Sequence, residues 1–365
     1  MVITISSEIG MRRLFHMRSR ERAHAVLVCL LLYTQGIQAQ EPVFPPLGTI
    51  DFYGLQTISE SEVRGILPIG EGHDFAADLP DPAVIGNDMT KALGVARVEL
   101  NLVCCTEAGL SQLYVGVQEG EQARSLYFPA PIGDVELPRS IVENFEVFLD
   151  RMMESVLSGD ASEDRSQGHA LAESDAVRRT QETFLDHAEQ HLSLLTEVLT
   201  SSSKARHRAI AAHVLGYASN KAGIAPVLAS AVLDPDEGVR NCATRSLAVI
   251  AQFANTHPDR GIVISPDPFI DMLNSIVWSD RNKALGVLVA LTETREARLL
   301  EQLRTNALDS LTEMCAWKHW GHAEPACSIL RRIVGLPDDT DPSSRSSTLA
   351  SVEELQSLRR NGPRN

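Results

Sequence analysis

The second half of the chain repeats one arrangement of hydrophobic and polar positions. Each copy has an arginine, an alanine three residues later and a leucine four residues after that, so the alanine and the leucine fall on one face of a helix. The copies comprise Arg208, Ala211 and Leu215, then Arg240, Ala243 and Leu247, then Arg281, Ala284 and Leu288. A fourth copy keeps Ala326 and Leu330 but has Ala323 in the place of the arginine. The pattern predicts helices that bury the same kind of face.

A second amphipathic stretch lies between successive copies. Apolar residues recur at helical spacing over 224–232, 269–277 and 299–311. The copies follow one another at 32, 41 and 42 residues. Two amphipathic helices in each such period are typical of an α-solenoid, whose helix pairs hide their apolar faces only against their neighbours. We therefore predict a mainly α fold, with a C-terminal array of helix pairs over 176–335.

The stretch DPDEGVRNCATRSLAVIA, residues 234–251, resembles the short HEAT repeat, written Asp-x-x-x-Val-Arg-x-x-Ala. In that family the aspartate of the turn and the arginine of the helix bond across successive repeats. The resemblance implies such a ladder here, to which Asp234 or Asp236 with Arg240, and Asp280 with Arg281, could contribute. The first copy has no acid before its arginine and the fourth has no arginine, which suits end repeats that pack on one side only.

The first half of the chain predicts a small α+β domain over 49–119. A short strand is followed by two helices and then by a hairpin, a βααββ order. In the hairpin Val98, Leu100, Leu102 and Cys104 share one face, so one face is expected to be buried and the other exposed. With IDFYGLQTISESEVRGIL at its start and LYVGVQE at its end, this order resembles a POTRA domain. The resemblance implies an exported module that binds other envelope proteins, often by adding a partner strand to a sheet edge.

The N-terminus is typical of a secretory signal peptide. Five arginines precede an apolar run at 25–33, and the pattern predicts cleavage of residues 1–39 between Ala39 and Gln40. The apolar run is too short to span a bilayer, so we predict no stable membrane span after removal. The sequence leaves open whether Met1 or Met17 is the start. We expect an exported protein, periplasmic or extracellular.

The remaining segments connect these units. Residues 40–48 are a linker, and 120–175 hold an amphipathic helix and then a polar loop, predicted to be mobile. One helix is predicted over 180–199. The polar tail 336–365 is linker-like, with the option of a short final helix through Leu349, Val352, Leu355 and Leu358.

Charge and cysteine content exclude several classes of protein. Removing 1–39 takes away five of the 33 basic and two of the 48 acidic residues, which leaves a net charge of −18. That charge repels DNA, RNA and anionic lipid, so nucleic acid is not an expected partner. Five scattered cysteines remain and match no zinc motif. Of the adjacent Cys104 and Cys105, one is expected to be a buried thiol and the other an exposed or half-covered one, and a bridge between Cys315 and Cys327 stays open.

Two clusters could carry chemistry or recognition. His187 and His191 have the spacing of two metal ligands on a helix, although packed histidines at the border of an apolar stripe explain them better. The aromatic cluster Trp317, His319 and Trp320, with His322 beside it, suggests an interaction patch or, alternatively, a helix corner sealed by two indoles. We find no phosphate loop, nucleophile elbow or paired catalytic acids, and we predict no cofactor and no catalytic residues.

We therefore expect an exported, non-enzymatic scaffold whose helical array binds a protein partner. A second hypothesis is an accessory factor in envelope biogenesis or secretion that acts through 49–119. A third is an enzyme, because short HEAT-like repeats also occur in proteins that resemble phycobiliprotein lyases, which attach bilins to cysteines.

Overall fold

The computed structural model describes residues 45–75, 81–104, 106, 108–120, 127–160 and 162–361. The predicted signal peptide, with Ala39 and Gln40 at its cleavage site, lies outside these residues. Within them, no helix is both long enough and apolar enough to cross a membrane. The fold is mainly helical, with a small sheet at its N-terminal end.

The N-terminal unit has the predicted order of elements. It comprises β1 (Leu47–Tyr53), α1 (Glu60–Ile66), α2 (Pro82–Leu93), β2 (Arg97–Val103) and β3 (Ser111–Gln118). Local chemistry sets the helix ends: Ser59 and Glu62 form a capping box before α1. Asp81 caps α2, and Gly94 ends it in the left-handed conformation that glycine adopts without strain.

Both faces of the three-stranded sheet are buried. β3 lies in the middle, parallel to β1 and antiparallel to β2. Leu113, Val115 and Val117 face the unit's own helices. Tyr114, on the opposite face, joins the core of the helical array. The expectation of one exposed face was therefore wrong, because that face packs against helices more than 150 residues further along the chain.

The helices of the second unit are α3 (Arg139–Leu157), α4 (Asp175–Gln190), α5 (Leu192–Ser201), α6 (Ala205–Leu215), α7 (Lys221–Ala231), α8 (Glu237–Thr256), α9 (Asp267–Met272), α10 (Trp278–Thr292), α11 (Ala297–Asn306), α12 (Leu308–Cys315), α13 (Trp320–Ile333) and α14 (Arg345–Asn361). Short 3₁₀ turns lie at Pro258–Arg260 and Pro342–Ser344. Between α3 and α4 the chain forms a hairpin of β4 (Glu163–Asp164) and β5 (Leu171–Ala172).

Two of these elements differ from the sequence predictions, and a third, the helix in the tail, was left as an option. The helix expected over 180–199 is two helices, because the backbone leaves the helical region at His191 (φ −120°, ψ 20°). The polar segment before α4, expected to be a loop, contains the β4–β5 hairpin. The tail forms α14, a 17-residue helix that buries Val352 completely.

The repeated motif builds a shared core. α5, α6, α8, α10 and α13 pack one against the next in a row, and α7, α9 and α12 each pack against the helix that follows. The six alanine and leucine positions of the motif are fully buried in one cluster: Ala211, Leu215, Ala243, Leu247, Ala284 and Leu288. Alanine permits close approach of the helices, and leucine fills the space between them. The helical pattern of the sequence therefore predicted the buried face correctly.

Candidate functional site

Three ion pairs, two of them fully buried, join successive repeats. Arg208 donates to Asp234 at 2.7 and 2.8 Å, and Arg240 donates to Asp280 at 2.8 and 3.0 Å. Arg281 donates to Glu313 at 2.8 Å. We call these pairs the ladder. Because each arginine reaches the acid of the following repeat, the pairs tie neighbouring repeats together.

The bonds cross from one repeat to the next and do not join the acid and the arginine of the same repeat. Asp280 bonds Arg240 and not Arg281, its neighbour in sequence. Asp234 bonds Arg208, and it meets Arg240 only through its main-chain oxygen, at 2.9 Å. Asp236 instead caps α8 by accepting from the N–H of Val239. The shift by one repeat explains why the first copy needs no acid before its arginine.

An extended segment of the chain lies along the turns that precede these helices. We call residues 127–137 the strap, and the turns at 201–204, 232–236 and 273–277 the turn edge. The N–H of Phe128 donates to the oxygen of Leu233 at 2.8 Å. Gly133 pairs with the turn before α6, donating to Ser201 at 2.8 Å and accepting from Ser203 at 2.7 Å. Main-chain hydrogen bonds therefore attach the strap to two successive repeats.

One strap side chain contacts the ladder directly. The ring of Tyr127 lies 3.9 Å from the guanidinium carbon of Arg240, a cation–π contact. Its hydroxyl donates to Asp280 at 2.7 Å. Burial raises the pKa of Tyr127 to about 12, and the charge of Asp280 acts in the same direction. The phenol therefore stays protonated and remains a donor to the ladder carboxylate at neutral pH.

The sheet docks beyond the strap, on the later repeats. The hydroxyl of Tyr53 donates to the oxygen of Ile276 at 2.6 Å, and its ring lies 4.5 Å from the guanidinium carbon of Arg281. The N–H of Gly54 donates to Glu313 at 3.2 Å. A tyrosine thus covers a second ladder arginine, in the same manner as in the strap.

β1 also contacts the turn between α12 and α13. The N–H of Lys318 donates to Asp51 at 3.1 Å, and its ammonium donates to the oxygen of Ile50 at 2.6 Å. Burial raises the pKa of Asp51 to about 6, although the Lys318 N–H and charge oppose the shift. The outer edge of β1 is therefore occupied by the chain itself.

Aromatic rings fill the centre of this interface. Tyr114 of β3 stacks on Trp278 with ring centroids 5.1 Å apart, and Trp317 lies 4.9 Å away. The Tyr114 hydroxyl is 2.6 Å from Nδ1 of His322 and donates to Gln112 at 3.1 Å. Burial lowers the pKa of His322 well below its usual value, which keeps the imidazole neutral. The interface is thus both polar and closely packed.

The predicted interaction patch is not a surface. Trp317 is 2% exposed, because it packs against the sheet. Trp320 is half-buried and donates to the oxygen of Thr340 at 3.1 Å, and the His319 ring lies 4.4 Å from that of His322. No motif of the sequence singled out the tyrosines that face this edge. A signal existed, since the chain has only five tyrosines and Tyr53, Tyr114 and Tyr127 all lie here.

The two helical histidines have ordinary packing partners. His187 and His191 have ring centroids 6.0 Å apart, and Nε2 of His187 lies 2.9 Å from the amide nitrogen of Asn144. Among the described residues, no group of three or more histidine, cysteine, aspartate or glutamate side chains could hold a metal ion.

The cysteines differ from the expectation of free thiols. Cys315 and Cys327 form a disulfide between α12 and α13, which the sequence had left open. The segment that it closes carries Trp317, Lys318 and His322, three of the array residues that meet the sheet. Cys104 is also disulfide-bonded, so the expected packed thiol there was wrong.

The helices that carry the repeated motif are covered by the chain itself. No side chain of α10, and none of α8 before Asn255, is exposed. The β4–β5 hairpin covers part of this surface: Glu163 pairs with Arg245 of α8, and Tyr217 donates to the oxygen of Ala170 at 2.9 Å. A partner therefore finds little exposed surface on α8 and α10.

Gly116 of β3 lies at a close contact between the sheet and the array. A Cβ atom at this position would lie 2.3 Å from the oxygen of Ile276 and 2.8 Å from the ring of Tyr53. We expect Gly116→Ala to lower the free energy of unfolding by about 2–3 kcal/mol, because overpacking forces the two layers apart. Denaturant titration measures this change, and hydrogen exchange should rise in β3 and around Trp278.

Gly120→Ala is the matched control for this substitution. A Cβ atom there has no neighbour within 4 Å, so we expect a change within about 0.5 kcal/mol. Equal stability of the two variants would contradict close docking of the sheet on the array.

No protein-family model matches the chain, and no curated protein matches it. Among solved structures the chain is similar to a crystal structure described as an engineered protein, with 15% sequence identity and a TM-score of 0.35. The similarity covers 62% of this chain and 91% of the other. At this TM-score the likeness says nothing about the fold or the function of this chain.

Proposed function

We propose that this protein is an exported, non-enzymatic scaffold that binds other proteins through a HEAT-like α-solenoid. One observation carries the proposal: the turn edge already holds an extended polypeptide, through main-chain hydrogen bonds and a tyrosine on a ladder arginine. The shared buried face and the ladder between successive repeats support the solenoid assignment. Export rests on the signal-peptide pattern of residues 1–39.

The structure alters which surface of the protein we expect to bind a partner. Because the motif helices α8 and α10 are covered, a partner meets the turn edge or the outer helices. The strap, which lies along the turn edge, is itself accessible, since Ile132 is 95% exposed and Phe128 is 55% exposed. Polypeptide recognition here needs no catalytic group.

Photo-crosslinking in intact cells tests the scaffold function. A photoreactive amino acid placed at Ile132 of the full chain should yield a defined adduct with one envelope protein. The same residue at Val84, which is 56% exposed on α2, is the control and should not yield that adduct. Absence of protein adducts from every exposed position, together with turnover of a small molecule by the purified chain, would refute the proposal.

An accessory role in envelope biogenesis through the POTRA-like module is the second candidate. Of the two outer strands, β2 is the one that could receive a partner strand, because Lys318 occupies the outer edge of β1. Thr90 already accepts from the N–H of Val98 at that edge of β2, and by alternation the N–H groups of Leu100 and Leu102 point the same way. A partner strand would pair from Leu100 onward.

Leu102→Pro removes one outward N–H donor of β2 and should weaken the binding of such a partner strand. Unchanged binding would rule out strand addition.

The lyase alternative stays a prediction with a direct test. A lyase related to the phycobilisome enzymes would hold a bilin, so the absorbance spectrum of the purified chain mixed with bilin distinguishes it from a scaffold. A scaffold leaves the bilin spectrum unchanged.

A further inference from the structure

Most contacts of the strap are ones that a foreign peptide can also make. The bonds of Phe128 to Leu233, and of Gly133 to Ser201 and Ser203, use main-chain atoms that every extended peptide carries. Only Tyr127 makes side-chain contacts with the ladder, on Arg240 and Asp280. The site therefore recognises an extended backbone and one aromatic residue.

The middle of the strap buries few side chains, whereas its end is fixed by Leu137 and Val135, which pack in the core of the array. Phe128 and Ile132 point to solvent, and Asp134 and Glu136 are also exposed. Because apolar burial is the main source of binding free energy, the part of the strap between Tyr127 and Val135, which leaves Phe128 and Ile132 exposed, is weakly held. Covalent attachment to the chain compensates, since it supplies a high effective concentration.

We propose that the turn edge is a groove for an extended polypeptide that presents a tyrosine, and that the strap is a built-in occupant that a partner peptide replaces. The inference rests on the proposed scaffold function and names the class of partner. Tyr53 on Arg281 supports it independently, because a second ladder arginine is covered by a tyrosine in the same way. The ladder thus presents the same recognition feature on two successive repeats.

The geometry defines what the partner peptide must carry. Its tyrosine stacks on Arg240 and donates to Asp280. Glycine is required six residues later, because a Cβ atom at Gly133 would lie 2.6 Å from the oxygen of Ser201. An acid three residues after the glycine takes the place of Glu136, which pairs with Lys204. A phosphorylated tyrosine is excluded, because its charge would face the carboxylate of Asp280.

A labelled peptide with the strap sequence, YFPAPIGDVEL, tests the proposal on the full chain. Fluorescence anisotropy follows its binding to the wild type and to the Tyr127→Ala variant, whose own strap has lost its anchor. We expect the variant to bind the peptide at least about tenfold more tightly than the wild type, because the tethered competitor is weakened. Circular dichroism confirms that the variant is folded.

Two altered peptides serve as matched controls on the same variant. Replacing the tyrosine by alanine, or the glycine by valine, should each weaken binding by at least about tenfold. On binding, the unaltered peptide should protect the amides of 201–204 and 232–236 from hydrogen exchange. Equal binding to both chains, absence of binding to the variant, or protection elsewhere would overturn the inference. If a cellular partner still crosslinks in that case, the scaffold function stands and its surface lies elsewhere.

Discussion

Replacing Asp280 by alanine is expected to lower the free energy of unfolding by about 3–5 kcal/mol, because it leaves a buried guanidinium without its counter-charge. The Asp280 side chain is fully buried and accepts two hydrogen bonds from Arg240. It also accepts from Tyr127 at 2.7 Å and from Ser275 at 2.9 Å. One substitution therefore breaks a rung of the ladder and releases the anchor of the strap. Urea titration at neutral pH measures the loss.

An exposed ion pair provides the control for this experiment. Arg139 and Glu143 pair at 2.7 Å on α3, with side chains 90% and 54% exposed. Glu143→Ala should change stability by no more than about 0.5 kcal/mol. The double variant Arg240→Met with Asp280→Leu should recover part of the loss, because no unpaired charge is left inside. An Asp280→Ala variant as stable as Glu143→Ala would contradict a structural role for the ladder.

Replacing His213 by phenylalanine should make the protein more resistant to acid. His213 is 4% exposed, and its ring lies against Phe145, Phe148, Phe184 and Tyr217. Burial lowers its pKa to about 3. In the unfolded chain the imidazole takes up a proton near pH 6.5, whereas in the folded chain it stays neutral. The part of the free energy of unfolding that depends on this difference is therefore complete above about pH 6.5 and is lost as the pH falls toward 3.

The expected difference is large enough to measure at mild acidity. Between pH 7 and pH 5 the wild type should lose about 2 kcal/mol through His213 alone, and His213→Phe should avoid that part of the loss. Other groups, including Asp51, titrate equally in both chains, so the difference isolates one imidazole. Phe148→Leu, in the same cluster, is the control and should lower stability equally at both pH values. Equal acid sensitivity of His213→Phe and the wild type would show that His213 is already charged or accessible.

Because the sheet and the strap dock on the array, the function of one unit cannot be tested by removing the other. The sequence analysis treats the N-terminal module and the array as separate units, each with its own surface. In the structure they share a core through Tyr53 and Tyr114, and the strap crosses the ladder between them. Deleting the module would expose Trp278 and Trp317, so single substitutions such as Gly116→Ala are the better test of its role.

Local patterns in the sequence determined the helices and the face that each one buries. The arginine–alanine–leucine spacing predicted the six buried core positions, and Ser59 and Asp81 begin their helices by capping the first turn that follows them in sequence. The βααββ order of the first unit also followed from alternation and turn residues. These features depend on neighbours within a few residues, so the sequence carries them directly.

Only the tertiary structure decided which of these elements meet. Asp280 stands beside Arg281 in sequence but bonds Arg240, 40 residues away, because the stacking of the helices sets the partner. Tyr53 and Tyr114 occupy strand positions that alternation assigns to solvent, yet they are buried against residues more than 160 positions later. Docking depends on the shape and chemistry of two surfaces that form only after each unit has folded. No short pattern encodes that match, and for this reason the strap, the sheet interface and the turn edge appear in the structure alone.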